Sequence, residues 1–375
     1  MSRIEIIEVT GKKLMKQFVN FVLDLYKGCP HYVPYMYGDE LKMLDPKFNL
    51  TLKDCDARFY LCKKDGALAG RIGAVLQRKY NALTGKKNVR FMRFDCVDDL
   101  GVAKALLDTV ESFAVSYGMT TVMGPYGFNE TDRAGYLSEG FDLDANFGTN
   151  YNYPYYDALL RQCGYGDSSE WLELHCRPKE EACQKYAKLS EFMLKKSGFT
   201  ISDEKTFPKF AKKYGWKAFQ CLNAAYAGLP GFIPFEKDLY DQIIGQFSIA
   251  VRTRYMTAVI DKNNDVAGFA VCFPSLTDAM KKTRGKLFPF GFIRILRAIA
   301  KPKVLDLCLI GVRPEYHNTG VNLTLIAHVL KTIKDENITL TEAYPELIEN
   351  TKTLSQWEHF DTKIVKHRKV VEKTL

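Results

Sequence analysis

Apolar and polar positions change period along this chain, and the changes outline its elements. Ile4-Glu5-Ile6-Ile7-Glu8 alternates like a first β-strand. Phe59–Cys62 turning at Asp65-Gly66 into Arg71–Leu76 predicts a hairpin, as does Met256–Ile260 turning at Asn263-Asn264 into Phe269–Phe273. A third strand follows each hairpin, Val89–Cys96 and Val304–Gly311. Each then runs through a short loop into an apolar-periodic helix, about Val102–Tyr117 and about Val321–Asp335. Thr120–Met123 and Thr339–Ala343 predict one more strand in each case.

The two series are copies. Tyr26-Lys27-Gly28-Cys29-Pro30-His31-Tyr32-Val33-Pro34 aligns with Tyr226-Ala227-Gly228-Leu229-Pro230-Gly231-Phe232-Ile233-Pro234, and Asp65–Gly70 aligns with Asn263–Gly268 in the same order. The expected organisation is two α/β domains, residues 1–178 and 179–375. The second copy carries an insertion near residues 279–303.

Composition narrows the class. The chain has 375 residues, 46% hydrophobic and 26% charged, with 21 Tyr and 24 Phe. Large packed cores are expected, and disorder is excluded. No apolar run is long enough to span a membrane, and the first residues lack the apolar core of a signal peptide. Ten cysteines without C-x-x-C spacing and six dispersed histidines predict neither a zinc site nor a disulfide framework. The expectation is a cytoplasmic protein without a metal. The net charge of +9 is concentrated in the insertion, where Lys281, Lys282, Arg284, Lys286, Arg294, Arg297, Lys301 and Lys303 occur without one acidic residue. Phe288, Phe290, Phe292, Ile293, Leu296 and Ile299 share that segment. A segment both basic and apolar points to an acidic acyl-carrier protein, an anionic membrane surface or the phosphates of a nucleotide-like ligand. Nucleic acid ranks last, since no reader motif is present.

The junction Leu309-Ile310-Gly311-Val312-Arg313-Pro314-Glu315-Tyr316-His317-Asn318-Thr319-Gly320-Val321-Asn322 leads from a strand into a helix through a glycine. Unpaired N–H groups and the helix dipole make such a start an anion site. This order of elements resembles the GNAT acyl-CoA N-acyltransferase superfamily. Its pyrophosphate loop, [Q/R]-x-x-G-x-[G/A], falls on His317, Asn318, Thr319, Gly320, Val321 and Asn322. The resemblance implies two tandem GNAT-like domains, each a mixed, mostly antiparallel sheet flanked by helices. It also implies an acetyl-CoA or acyl-CoA substrate lying along Leu309, Ile310, Gly311 and Val312, with Asn350 contacting the CoA. His317 stands where the pattern has Gln or Arg, Asn322 where it has a small residue, and Trp357 where the family's acid Tyr is common. Glu342 ends a strand and is the candidate general base; its alternative is a solvated or helix-capping carboxylate. In the first copy, Asp98 or Asp99 at the helix start would cap the helix and repel phosphate.

Gly124-Pro125-Tyr126-Gly127-Phe128 through Glu139-Gly140-Phe141-Asp142, and Tyr151-Asn152-Tyr153-Pro154-Tyr155-Tyr156, form a Gly/Tyr-rich extension of the first copy. The pair of motifs is similar to that of tandem acetyltransferase-like proteins. Tyr126, Asn129, Asp132, Glu139, Tyr151, Tyr153 and Tyr155 are the expected acceptor-pocket residues. The reading is acyl transfer from acyl-CoA, or a carrier-bound acyl-pantetheine, to an amine or hydroxyl of a small acceptor. The alternatives are a non-catalytic acyl-CoA sensor and a transferase acting at an anionic lipid surface.

Overall fold

In a computed structural model the structure describes residues 2–129, 132–229, 231–247, 251–350, 354 and 356–375. Glu130 and Thr131 of the Gly/Tyr-rich stretch and Pro230 of the repeat lie outside the described residues. The chain forms two compact units. One holds Met1–Leu172, Thr277–Ile295 and Val365–Leu375; the other holds Glu173–Leu276 and Leu296–Ile364. The units are therefore not the sequential halves 1–178 and 179–375, because each borrows strand from elsewhere in the chain.

The first unit is built on β1 (Ile4–Glu8), β2 (Cys55–Lys64), β3 (Ala67–Gln77), β4 (Asn88–Cys96) and β5 (Thr121–Gly124), neighbours in that order. The β2–β3 turn uses Asp65 and Gly66 at φ 51° and 85°, a hairpin geometry that Asp-Gly adopts readily. All pairs are antiparallel except β4 with β5. β5 is then paired antiparallel by the chain's last strand (Phe360–Thr374), Val371 opposite Gly124 and Thr374 opposite Thr121. A short β6 (Tyr136–Glu139) pairs with that same C-terminal strand. The helix Leu100–Ser116 lays Val102, Leu106, Leu107, Val110 and Phe113 on the sheet, and Asp99 caps it by accepting from the Val102 N–H. Gly70 allows this close approach: a Cβ there would lie 3.1 Å from Val102 Cγ1 and 2.6 Å from Leu106 Cδ1.

The second unit repeats the plan. β7 (Gly166–Pro178) contributes Glu173–Pro178, followed by β8 (Thr200–Ile201), β9 (Met256–Ile260), β10 (Val266–Pro274), β11 (Val304–Val312) and β12 (Leu340–Leu347). The order is β8-β9-β10-β11-β12-β7, with β11–β12 again the parallel pair. Gly268, aligned with Gly70, admits the helix Val321–Asp335, whose Val321 Cγ1 would sit 2.4 Å from a Cβ at that position. The helix Trp216–Tyr226 packs Ala218, Cys221 and Leu222 on the other face.

The basic insertion folds as two short helices, Thr277–Thr283 and Gly291–Ala300. Among the described residues, no helix is long and apolar enough to cross a membrane.

Candidate functional site

In the second unit the parallel pair separates part-way. β11 and β12 are in register from Val304/Leu340 to Leu307/Ala343. Beyond that, β11 runs on to Val312 and β12 to Leu347 with no further pairing between them. The cause lies on β11's other edge. Val271 faces Leu309 and Cys272 faces Leu307, leaving Cys308 as an extra residue. Such a β-bulge bends its strand and ends regular pairing. The bulge thus opens a wedge whose one wall is Leu309, Ile310, Gly311 and Val312, the segment expected to take the CoA arm.

The wedge is firmly walled. The Tyr226 hydroxyl donates to the Ile310 carbonyl at 2.9 Å. Gly311 is pressed by the helix Trp216–Tyr226, where a Cβ would come within 3.0 Å of Ala225 and 3.1 Å of Leu222. A larger residue would push the strand back into the wedge.

The loop that follows is braced before any ligand arrives. Tyr316 donates to Asp261 Oδ2 at 2.7 Å, and Arg313 pairs with Asp265 at 3.3 Å, so both hold to the β9–β10 turn. Thr319 Oγ1 donates to the Tyr316 carbonyl at 2.7 Å. Asn318 and Gly320 take φ of 62° and 89°, the left-handed region that Gly and Asn tolerate best. Gly320 precedes the helix Val321–Asp335 and no side chain caps its N-terminus. The first N–H groups of a helix have no partner within it. His317, Asn318 and Asn322 are solvent-exposed beside them, so Asn322 leaves the helix start open. Asn350 lies beyond the end of β12, its N–H donating to Leu347 at 2.9 Å.

Glu342 occupies the paired part of β12, opposite Asp306, with its carboxylate 3.5 Å from His175 Nε2. Four residues on, Glu346 is in the unpaired part. Burial pushes its pKa up to about 7, and the indole of Trp357 opposes the rise. Trp357 Nε1 is buried without a partner in hydrogen-bond geometry. The indole N–H and the carboxyl face each other here, each within electrostatic reach of the other. Glu346 also helps raise the Cys176 thiol and the Tyr226 phenol, which places it near β7 and the Tyr226–Ile310 bond. Sequence patterning gave no sign of Glu346, because its environment comes from β7, β11 and Trp357 together.

The first unit has a corresponding wedge with different contents. β4 and β5 pair only from Asn88/Thr121 to Arg90/Met123, and β4 bulges at Arg93–Phe94 opposite Ile72. A small cleft opens there, lined by Tyr35, Arg71, Arg93, Asp95, Arg133 and Tyr151. Where the second unit pairs Phe269 with Gly311, this one pairs Arg71 with Asp95, and their side chains form a buried ion pair at 2.8 Å. Arg93 bonds Glu40 at 2.8 Å through Nη2, with Nε also donating, and both groups are buried. Tyr35 lies between Arg93 and Arg133, 3.9 and 3.8 Å from its ring centre. Arg133 has three backbone carbonyl acceptors, those of Phe147, Val33 and Pro34.

Of the expected acceptor-pocket residues, Tyr151 lines this cleft. The others are brought elsewhere. Tyr155 donates to Cys96 O and Tyr153 to Leu25 O. Asn129 donates to Thr51 Oγ1, and Asp132 accepts from the Phe128 N–H and faces Arg93. Tyr126 is buried near the Arg90 guanidinium, and Glu139 is exposed near His367. The second motif's main work is structural. The Asn152 amide exchanges two hydrogen bonds with the Leu137 backbone, and Tyr156 accepts from the Cys96 N–H.

No family model matches the chain. It is 24% identical over 331 residues to protein YghO of Escherichia coli K12, covering 87% of this chain and 83% of that protein. It is 20% identical over 346 residues to a protein of Caulobacter vibrioides named bacterial ceramide synthase, covering 90% and 88%. Among solved structures it is similar to a tandem GNAT protein from the clavulanic acid biosynthesis pathway, with a TM-score of 0.57 and 11% identity over 99% of this chain and 98% of that one. With its two sheet-built units, each opened by a bulge beside a parallel strand pair, the chain has the fold of a tandem GNAT protein.

Proposed function

We propose that this protein transfers an acyl group from acyl-CoA to an amine, with the second unit as the donor-binding half. The β11–β12 wedge with Glu346 inside it carries this reading. The uncapped N-terminus of the helix Val321–Asp335 would take the CoA pyrophosphate, and the free edge of β11 from Leu309 to Val312 would pair with the amide-bearing arm. The first unit's wedge is a poorer donor site. Its walls carry ion-paired arginines, and Asp99 caps its helix start.

Glu346 would act as general base. A carboxylate with pKa near 7 removes a proton from an ammonium at neutral pH more effectively than an ordinary glutamate. The freed amine then attacks the thioester carbonyl, the C–N bond forms, and the C–S bond breaks to release CoA thiolate, which takes up a proton. The Trp357 N–H would hold Glu346 in place. Glu342, on the paired part of the strand and turned to His175, takes no part in this scheme.

The relative named a bacterial ceramide synthase supports an amine acceptor, since a ceramide is an N-acylated long-chain amino alcohol. The test is release of free CoA thiol from acetyl-CoA and palmitoyl-CoA, with and without a long-chain amino alcohol. Acceptor-dependent release lost in Glu346→Ala supports the reading. Binding of acyl-CoA without acceptor-dependent release would instead make the protein a sensor.

A further inference from the structure

Among the described residues, the segment Phe288–Lys301 exposes a run of large apolar side chains together. Phe288 is 80% exposed and Phe290 72%, and Phe292, Ile293 and Leu296 follow at 41, 36 and 42%. Isolated exposed apolar residues are ordinary, but a contiguous group of large ones marks a contact surface. At roughly 3.6 residues per turn the helix Gly291–Ala300 divides into three faces. Ile295 and Ile299 look inward, and Ile299 is 2% exposed. Phe292, Leu296 and Ile293 form an adjoining exposed face, and Phe288 packs against Phe292 with ring centres 6.2 Å apart. Arg294 and Arg297 occupy the third, far from Ile299.

The charges of this segment divide in the same way. Lys281 pairs with Asp144 at 2.5 Å, Arg284 donates to Leu23 O, and Lys286 lies 4.9 Å from the Tyr37 ring centre. These cations anchor the first part of the insertion, Thr277–Ile295, within the first unit. Arg294, Arg297 and Lys301 are exposed and make no ion pair among the described residues. Gly285 fixes the approach, with φ 72°, its carbonyl accepting from the Tyr37 N–H at 2.9 Å, and only 2.0 Å between a Cβ there and Tyr35 O. The protruding aromatics are therefore held out by an anchored base.

We infer that Phe288–Lys301 docks this protein on an anionic lipid surface, the apolar face entering the headgroup boundary and Arg294, Arg297 and Lys301 meeting the lipid phosphates. A projecting cluster of phenylalanines with cations beside it matches the two-part attraction of interfacial helices. An acidic protein partner would match the cations but would need a concave apolar seat for Phe288 and Phe290; a lipid interface yields to both. The inference does not rest on acyl transfer, because vesicle binding is read without turnover.

The test is co-sedimentation of the full chain with phosphatidylglycerol/phosphatidylcholine vesicles and with phosphatidylcholine alone. Binding at least tenfold stronger to the anionic vesicles, weakening as salt is raised, is expected. Phe288→Ser with Phe290→Ser should lower it at least tenfold, and Arg294→Glu with Arg297→Glu should abolish the preference for anionic lipid. Circular dichroism should show both variants folded, since the altered side chains are exposed. A wild-type chain that stays in solution with anionic vesicles would overturn the inference. So would variants that sediment like wild type, or a dimer dispersed by the phenylalanine changes in a protein that ignores vesicles.

Discussion

Replacing Glu346 with Gln tests the wedge by stability and by catalysis at once. The carboxyl's pKa is pushed from an ordinary 4.5 up to about 7 by burial. At about 1.36 kcal/mol per pH unit, keeping it charged costs the native state roughly 3 kcal/mol relative to the unfolded chain. The sign follows from proton binding. Between pH 4.5 and about 7 the native protein holds this proton more often than the unfolded one, so unfolding free energy falls as pH rises through that window. Glutamine does not titrate, so the variant loses this slope. It should match its parent near pH 4 and exceed it by up to about 3 kcal/mol near pH 8. Urea unfolding followed by tryptophan fluorescence at several pH values reads this, with Trp357 close to the altered group. Turnover should move the opposite way. In the parent, kcat/KM should rise through pH about 7, and the variant should lose that rise together with a factor of about 10²–10⁴ in rate. A variant with the parent's pH slope in both measurements would refute the assignment of Glu346 as a buried base.

Three further outcomes follow from the two units. Gly320→Glu forces a side chain into φ 89°, against Met193, and sets a carboxylate at the uncapped helix start; CoA affinity by isothermal titration should fall about tenfold or more, the equivalent of ~1.4 kcal/mol. Val371 is fully buried in the first unit's core, so Val371→Asp should cost about 3 kcal/mol or more by leaving a buried carboxylate unpaired, read as a lower urea midpoint. Arg93→Met strands the buried Glu40 carboxylate and should cost roughly 3–5 kcal/mol, whereas Arg93→Met with Glu40→Leu should recover most of it; an unrecovered double variant would show that the pair is not what holds this region.

The duplication was legible because local pattern carries it. The periodicity of Met256–Ile260 and Val321–Asp335 predicts the observed element limits, and Gly70 and Gly268 mark the points where a helix approaches the sheet in each copy. A cap at Asp98 or Asp99 was legible for the same reason, since capping acts over three residues, and the structure gives it to Asp99. The expected acceptor tyrosines illustrate the opposite case. Their spacing on the Gly/Tyr-rich stretch was visible, but the destination of each hydroxyl depended on β4 and on the chain near Leu25. Most of them tie that stretch down, and Tyr151 reaches the cleft.

Sequence alone determined the two α/β repeats, the bulk of their elements and the insertion that sets the copies apart, because hydrophobic periodicity and turn chemistry are local. Tertiary structure decided which strands complete each sheet. Nothing in Phe360–Thr374 says that its end will pair with β5, because an amphipathic strand fits any open edge. It also decided that Arg71, Arg93 and Arg133 are buried. Their partners lie far away in sequence, and a guanidinium leaves solvent only where the fold supplies carboxylates, carbonyls and an aromatic face together. The same holds for Glu346, whose chemistry is set by a wedge that exists only after β11 and β12 have paired and parted.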